Sequence, residues 1–419
     1  MKRFILILIQ FLFLFRLYAQ PDTTQKIIQD RRNSPAQQQK PYVILISADG
    51  FRYDYAEKYM ADNLLTLSRE GVRAASMIPT YPTLTFPNHY SLVTGMYPSH
   101  HGLVSNYFYD PGRNASYSMR NANTVKDGSW YGGMPFWVLA EQQQMLTASF
   151  YWVGSEADIK GILPTYHYSY NEVIPIERRI QIVLDWLQLP PDRRPHLITF
   201  YFPEVDHSGH SYGPDSPKTG EAVRWVDSSI KKLTDAVKTT GLPVNFIFVS
   251  DHGMTNIDVE NTLPMPSAVD TSKFIIPRGS ELVVLYAKNK KDILPTYQKL
   301  KKQENGFKVY FKSEMSKQLH YGDKDDLMNR MGDILLIPDW PKVFHFSTRK
   351  PNPGAHGYDP YLVKDMQATF FAWGPAFKKG MRIGSFENVH VFPVVAKILD
   401  LKYTHKIDGT EELSEKILK

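Results

Sequence analysis

Tyr42-Val43-Ile44-Leu45-Ile46-Ser47-Ala48-Asp49-Gly50 is the stretch whose reading sets the fold class. An unbroken apolar, β-branched run without alternation reads as a strand buried on both faces, as in parallel sheets covered by helices. Asp49 stands just past its carboxyl end, where open α/β sheets bind their ligands. Two more runs repeat the pattern. Leu197-Ile198-Thr199-Phe200-Tyr201-Phe202 leads to Asp206 and His210, and Phe246-Ile247-Phe248-Val249-Ser250 leads directly into Asp251-His252. His356 lies apart, in the loop Pro353-Gly354-Ala355-His356-Gly357. Between the strand-like runs, Ile180, Val183, Leu184 and Leu187 recur at helical spacing, as do Val223, Val226, Ile230, Leu233 and Val237. The expected fold is α/β, a mostly parallel central sheet flanked by helices. The stretch between His252 and His356 supplies no candidate ligand. With strand-like Glu281-Leu282-Val283-Val284-Leu285-Tyr286 and a charged helical part near residues 294–303, it is expected to be a smaller α+β lobe inserted at about 257–345. The chain then returns to the sheet at residues 368–373.

Thr83-Leu84-Thr85-Phe86-Pro87-Asn88-His89 follows a turn-rich lead-in and opens an apolar segment that stops at Gly95. That layout puts Thr85 at a helix N-terminus, where unpaired N–H groups and the positive dipole end favour an anion. Pro87 suits a first helical turn because its missing N–H is not needed there. Thr is also a common helix cap, so position alone does not make a nucleophile. The Asp and His residues change the balance. A lone strand-end Asp is usually a turn former, and a lone His is usually a surface or satisfied core residue. Three Asp and three His at four strand-end or loop sites are harder to explain that way. Zinc takes four N/O ligands and keeps a position open in catalytic sites, so six ligands suit two metals. Positions remain for Thr85 and a phosphate oxygen.

These residues carry a family resemblance. The chain resembles the nucleotide pyrophosphatases/phosphodiesterases of the alkaline phosphatase superfamily. The matching pieces are Ser47-Ala48-Asp49-Gly50-Phe51-Arg52, Thr85-Phe86-Pro87-Asn88-His89-Tyr90, and Thr94-Gly95-Met96-Tyr97-Pro98 with His101-Gly102. They continue with Val205-Asp206-His207-Ser208-Gly209-His210, Ser250-Asp251-His252-Gly253-Met254 and Gly354-Ala355-His356-Gly357. The resemblance runs from about residue 41 to the chain end and implies an alkaline-phosphatase-like catalytic domain over 41–419. It implies two zinc ions per chain, one held by Asp206, His210 and His356, the other by Asp49, Asp251 and His252 together with Thr85. Thr85 would be the nucleophile, forming a covalent phosphothreonine, and Asn106 would hydrogen-bond a non-bridging phosphate oxygen. Two metals are a general device for clamping such an in-line displacement.

For the substrate, the resemblance implies a nucleotide base held between Phe86 and Tyr170, with Tyr168 as the alternative partner and Trp152 and Glu156 lining the same pocket. Stacking of this kind tolerates any base. Packing or surface placement is the competing explanation of the tyrosine cluster. Two departures stand out: Leu84 and Tyr107 occupy positions where some family members carry lysine. They keep choline- or lipid-type diesters open as substrates. A phosphomonoesterase or phosphonate hydrolase would need further cations beside Thr85, and a non-catalytic binding protein would be expected to lack a ligand or the nucleophile.

Composition fits an exported enzyme. The 419 residues are 42% hydrophobic, enough for one large core or two unequal ones. Lys2 and Arg3 precede an apolar run at residues 4–15, then Leu17-Tyr18-Ala19. That run is short for a bilayer span, so a signal peptide at residues 1–19, removed after Ala19, is expected over a retained anchor. The destination is the periplasm or the medium. Residues 20–40 read as a polar, solvated leader. The absence of cysteine excludes disulfides and zinc fingers, leaving the fold to rest on its core and metals. The net charge of +6 is scattered, without the basic stripe of a sequence-specific nucleic-acid binder, so the expected partner is a small anionic substrate.

Overall fold

The structure, a computed structural model, describes residues 22–419, and the expected signal peptide lies outside the described residues. Nine strands form the central sheet: β1 (Gln25–Ile27), β2 (Tyr42–Ala48), β3 (Val72–Ala74), β4 (Thr147–Phe150), β5 (Tyr166–Tyr168), β6 (Leu197–Phe202), β7 (Val244–Val249), β8 (Phe370–Trp373) and β9 (Met381–Ile383). Their order across the sheet is β1-β5-β4-β6-β2-β7-β8-β3-β9. From β5 to β7 all neighbours are parallel, while β1 and β8 run against theirs. The sheet is therefore mixed but mostly parallel. β2 sits between β6 and β7, so all 7 of its residues are buried, as its unbroken apolar run requires.

Alternate residues of the central strands feed two helical layers. Ile44, Ile46, Phe246 and Phe248 pack with Val223, Val226, Ile230 and Leu233 of a helix at Pro217–Lys238 and with Ile180 and Val183 of one at Ile176–Leu187. Val43, Leu45, Ile247 and Val249 pack on the other face with Tyr90, Leu92 and Val93 of α1 (Thr85–Thr94). Each such aliphatic side chain contributes about 1.5–3 kcal/mol by burial, so a charge at Ile44 or Ile247 would break a layer. The registers Ser47↔Tyr201 and Ser47↔Val249 bring the ends of β6, β2 and β7 level. Asp49, α2 (Glu204–Tyr212) and Asp251 consequently emerge side by side.

The polar segment ahead of β2 is more than a solvated leader. Gln25–Ile27 adds an antiparallel edge strand to β5. Asn33 is buried, donating to the Pro191 and Arg194 carbonyls and accepting from the Leu146 N–H at 2.7 Å. Polarity here serves long-range hydrogen bonds, which composition does not reveal.

Between β7 and β8 stands a four-stranded antiparallel sheet, ordered Phe274–Ile275, Val283–Ala287, Ile334–Pro338, Phe307–Tyr310, with a helix at Ile293–Lys301. Val283, Leu285, Leu336 and Phe344 make its own core. Val284, Tyr286 and Leu335, on the opposite face by strand alternation, join the main core and fix the sheet against it.

Candidate active site

Two Asp/His groups converge at the carboxyl ends of β2, β6 and β7. In the first, His210 Nε2 and His356 Nε2 lie 3.1 Å apart, and Asp206 Oδ1 lies 3.4 Å and 3.7 Å from them. Each ring turns its Nδ1 to a backbone carbonyl, His210 to Gly354 and His356 to Thr83, both at 2.8 Å. A carbonyl can only accept, so Nδ1 carries the proton and the two Nε2 lone pairs face each other and a carboxylate. Such an arrangement repels itself unless a cation sits within it. The edges of a zinc tetrahedron with bonds near 2.0–2.1 Å are about 3.3–3.4 Å, close to the spacings observed. Asp206 and His210 are one helical turn apart on α2, and the outer hydrogen bonds fix the ring orientations.

The second group is built on the same logic. His252 Nδ1 donates to the Gly253 carbonyl at 2.8 Å, leaving Nε2 directed at Asp251 Oδ2 (2.9 Å), Asp49 Oδ1 (3.4 Å) and Thr85 Oγ1 (3.3 Å). Asp49 Oδ1, Asp206 Oδ1 and Asp251 Oδ2 are all buried without a hydrogen-bond partner. Unpaired buried carboxylate oxygens are strongly unfavourable, and together they describe a place for divalent cations. Burial, with Asp251 and Asp206 alongside, pushes the Asp49 carboxyl well above its usual range. For Asp251 burial acts the same way, but the His252 and His89 rings outweigh it and hold that carboxyl well below. Burial depresses His356 well below an ordinary imidazole, aided by His252 and His210. His252 is raised, because Asp251 overcomes its burial.

Thr85 is the first residue of α1, with Leu84 preceding it in extended conformation at the cap position. Its hydroxyl faces the second group, 3.3 Å from His252 Nε2. Asn106 Oδ1 accepts the Phe86 N–H at 2.9 Å, which turns the amide nitrogen of Asn106 the other way. Beside Thr85 opens a cavity of about 710 Å³, lined by Asp49, Asp206, Phe86, Trp152, Glu156 and Tyr170 among others. Tyr170 is 47% exposed at its wall, whereas Tyr168 is buried against Phe150 and Trp186 with its hydroxyl on Gln25. Glu156 holds Tyr170 in place by accepting its N–H at 2.8 Å, and Trp152 donates to the His89 carbonyl at 3.1 Å.

Two residues of the site carry no role in the sequence reading. Tyr201, on β6, donates to Asp49 Oδ2 at 2.6 Å. His89, one turn below Thr85, places Nδ1 3.0 Å from the Thr85 carbonyl and 3.3 Å from Asp251 Oδ2, while Nε2 meets Ser47 Oγ at 2.8 Å. Both ring nitrogens of His89 are taken up by the Thr85 carbonyl and Ser47, so beside Asp251 it has no lone pair to offer, unlike His252. A helical i, i+4 offset from Thr85 was the available signal for His89.

A three-layer α/β fold with Asp/His groups that could hold metal ions around a helix-terminal hydroxyl makes a candidate site for phosphoryl transfer. Residues 43–359 match the family described as type I phosphodiesterase / nucleotide pyrophosphatase, and the chain belongs to that family. It is 36% identical over 385 residues to ectonucleotide pyrophosphatase/phosphodiesterase family member 1 of Rattus norvegicus, covering 89% of this chain and 42% of that protein. It is 34% identical over 398 residues to venom phosphodiesterase CdcPDE of Crotalus durissus collilineatus, covering 92% of this chain and 47% of that one. The chain thus spans under half the length of these relatives. Murine ectonucleotide pyrophosphatase/phosphodiesterase 5, solved as an inactive threonine-to-alanine variant in complex with AMP, superposes with a TM-score of 0.83 at 27% identity, covering 91% of this chain and 100% of that one. Among the described residues no helix is long and apolar enough to cross a membrane.

Proposed function

We propose that the protein is a zinc-dependent phosphodiesterase and nucleotide pyrophosphatase that releases nucleoside 5′-monophosphates through a phosphothreonine at Thr85. The observation that carries this reading is the Thr85 hydroxyl, at a helix N-terminus and 3.3 Å from His252 Nε2, between two Asp/His groups and an aromatic cavity. Two zinc ions, one on Asp206, His210 and His356 and one on Asp49, Asp251 and His252 with Thr85, would supply Lewis-acid neutralisation of the phosphoryl group and activation of the hydroxyl.

The chain's own residues do the rest. Thr85 Oγ1 forms a bond to phosphorus as the bond to the leaving oxygen breaks. Asn106 donates its amide N–H to a non-bridging oxygen, a role its bond to Phe86 orients it for. Phe86 and Tyr170 hold the base in the cavity. Water then displaces Thr85 Oγ1 from phosphorus, freeing the monoester and restoring the hydroxyl. The murine relative, inactive as a threonine-to-alanine variant and solved with AMP, supports a reading in which a threonine and a nucleoside monophosphate meet at such a site. We place the enzyme outside the cytoplasm on its N-terminal sequence, a charged start followed by a short apolar run and a small-residue cleavage site.

A product survey of the zinc-loaded protein tests the reading, using a nucleoside triphosphate, a dinucleotide, a choline phosphodiester and a phosphomonoester. Nucleoside 5′-monophosphate from the first two, with slow turnover of the others, is expected. Faster turnover of the choline diester, or of the monoester, overturns the substrate assignment.

A further inference from the structure

Leu84 and Tyr107, which flank Thr85 and Asn106 in the chain, carry no charge. The four-stranded lobe reaches this side of the site through the connection between its Phe274–Ile275 and Val283–Ala287 strands. A Cβ on Gly357 would lie 2.8 Å from Glu281 Cβ and 3.3 Å from Leu84 Cδ2, so both Glu281 and the neighbour of Thr85 pack against the glycine that follows His356. Three residues earlier, the Arg278 guanidinium stands 5.7 Å over the Tyr107 ring. Arg278 is exposed, and among the described residues no ion pair or hydrogen bond occupies it. Glu281, the nearby carboxylate, accepts from Ser280 Oγ at 2.8 Å.

The cavity for the nucleoside lies elsewhere, lined by Phe86, Trp152 and Tyr170 and by segments outside the lobe. In an in-line displacement the departing group leaves on the side away from the attacking oxygen. The lining of that cavity includes neither His356 nor any lobe residue, so a nucleoside seated there leaves the lobe side open to the departing half. A departing phosphate or pyrophosphate gathers negative charge there, and an unpaired guanidinium suits it as a two-pronged donor.

We propose that Arg278, presented over Tyr107 by the lobe, is a specificity-determining residue that receives a phosphate-bearing leaving group. The proposal rests on the nucleotide-cleaving reading above. It makes the enzyme favour phosphoanhydrides over diesters whose departing half is an alcohol or phenol.

The test compares wild type, Arg278→Ala and Arg278→Lys, all zinc-loaded, on a nucleoside triphosphate and on a nitrophenyl ester of a nucleoside 5′-monophosphate. Loss of a charged hydrogen-bonding partner predicts a fall in kcat/KM for the triphosphate on the order of tenfold to a hundredfold in Arg278→Ala. The nitrophenyl ester should change less than about threefold, with partial recovery of the triphosphate rate in Arg278→Lys. Equal losses on both substrates, or no loss on the triphosphate, overturn the proposal. Calorimetry with inorganic pyrophosphate on the same proteins reads the anion site without turnover. Pyrophosphate binding weakened at least tenfold in Arg278→Ala supports the assignment, and unchanged binding refutes it. Wild type inert on both nucleotides would instead refute the function proposed for Thr85, leaving calorimetry to decide Arg278.

Discussion

Asn106 offers a substitution series whose order separates two roles. Its Oδ1 accepts the Phe86 N–H at 2.9 Å, and an N–H can only donate, so the amide nitrogen is the end left for substrate. Asn106→Ala removes both ends. Loss of one oxyanion donor predicts a fall in kcat on the order of 10²–10³. Asn106→Asp keeps an acceptor for Phe86 but puts an anion where the donor was. Two unit charges about 4 Å apart at an effective dielectric near 20 repel by about 4 kcal/mol, which is roughly a further thousandfold. The predicted order of activity is Asn, then Ala, then Asp. Were Asn106 only a tether for the Phe86 main chain, Asp would retain more activity than Ala. Steady-state rates on a chromogenic phosphodiester, with thermal melts and metal content to verify the fold, measure the order. Asp above Ala, or both within about tenfold of wild type (about 1.4 kcal/mol), would refute the orientation argued for Asn106.

Thr85→Ala should abolish turnover while metal content and melting temperature hold, because only the hydroxyl leaves the Asp/His cage; Thr85→Ser should keep part of the rate, and an active Thr85→Ala enzyme contradicts nucleophilic catalysis. Tyr170→Ala should raise KM for nucleotides, with stacking worth about 1–3 kcal/mol, yet leave a small base-free diester nearly unchanged; equal effects would make Tyr170 a packing residue. For the chelated protein the sign of the pH dependence follows from the shifted groups. His252 and Asp49 are raised in the folded chain, so they hold protons that the unfolded chain releases, and stability falls as pH rises through their folded values. Depressed His356 acts oppositely, but only up to an unfolded imidazole value near 6.5. Depressed Asp251 acts only below about 4. Above about pH 6.5 the chelated protein should therefore lose stability with rising pH, by at most about 1.4 kcal/mol per pH unit for each proton. Differential melting from pH 6.5 to 8.5 measures this slope, and a flat or rising profile contradicts it.

The central architecture was legible because β2, β6 and β7 are buried on both faces, and two-faced burial leaves an unbroken apolar run. Thr85 was legible because a helix start has local chemistry, and Asp49 and Asp251 because they stand at strand ends. What escaped are contacts set by topology. Tyr201 reaches Asp49 only because β6 lies beside β2 in that register, 152 residues apart. Asn33 looks like leader composition until its partners at Leu146, Pro191 and Arg194 arrive from another part of the chain. His89 stands four residues after Thr85 on α1, yet nothing local says that Asp251 will come to its Nδ1. Tyr168 and Tyr170 lie two residues apart, a spacing that strand alternation would put on one face; the first lies in β5 and is buried, while the second follows the strand's end and opens to the cavity.

The central claim, two displacements through Thr85, is tested most directly by the stereochemistry at phosphorus. A nucleoside phosphorothioate diester of single configuration, hydrolysed in heavy-oxygen water by the zinc-loaded enzyme, reports how many inversions occur. Attack by Thr85 followed by attack of water predicts net retention. Net inversion would mean that water attacks the substrate directly, and would contradict a covalent phosphothreonine.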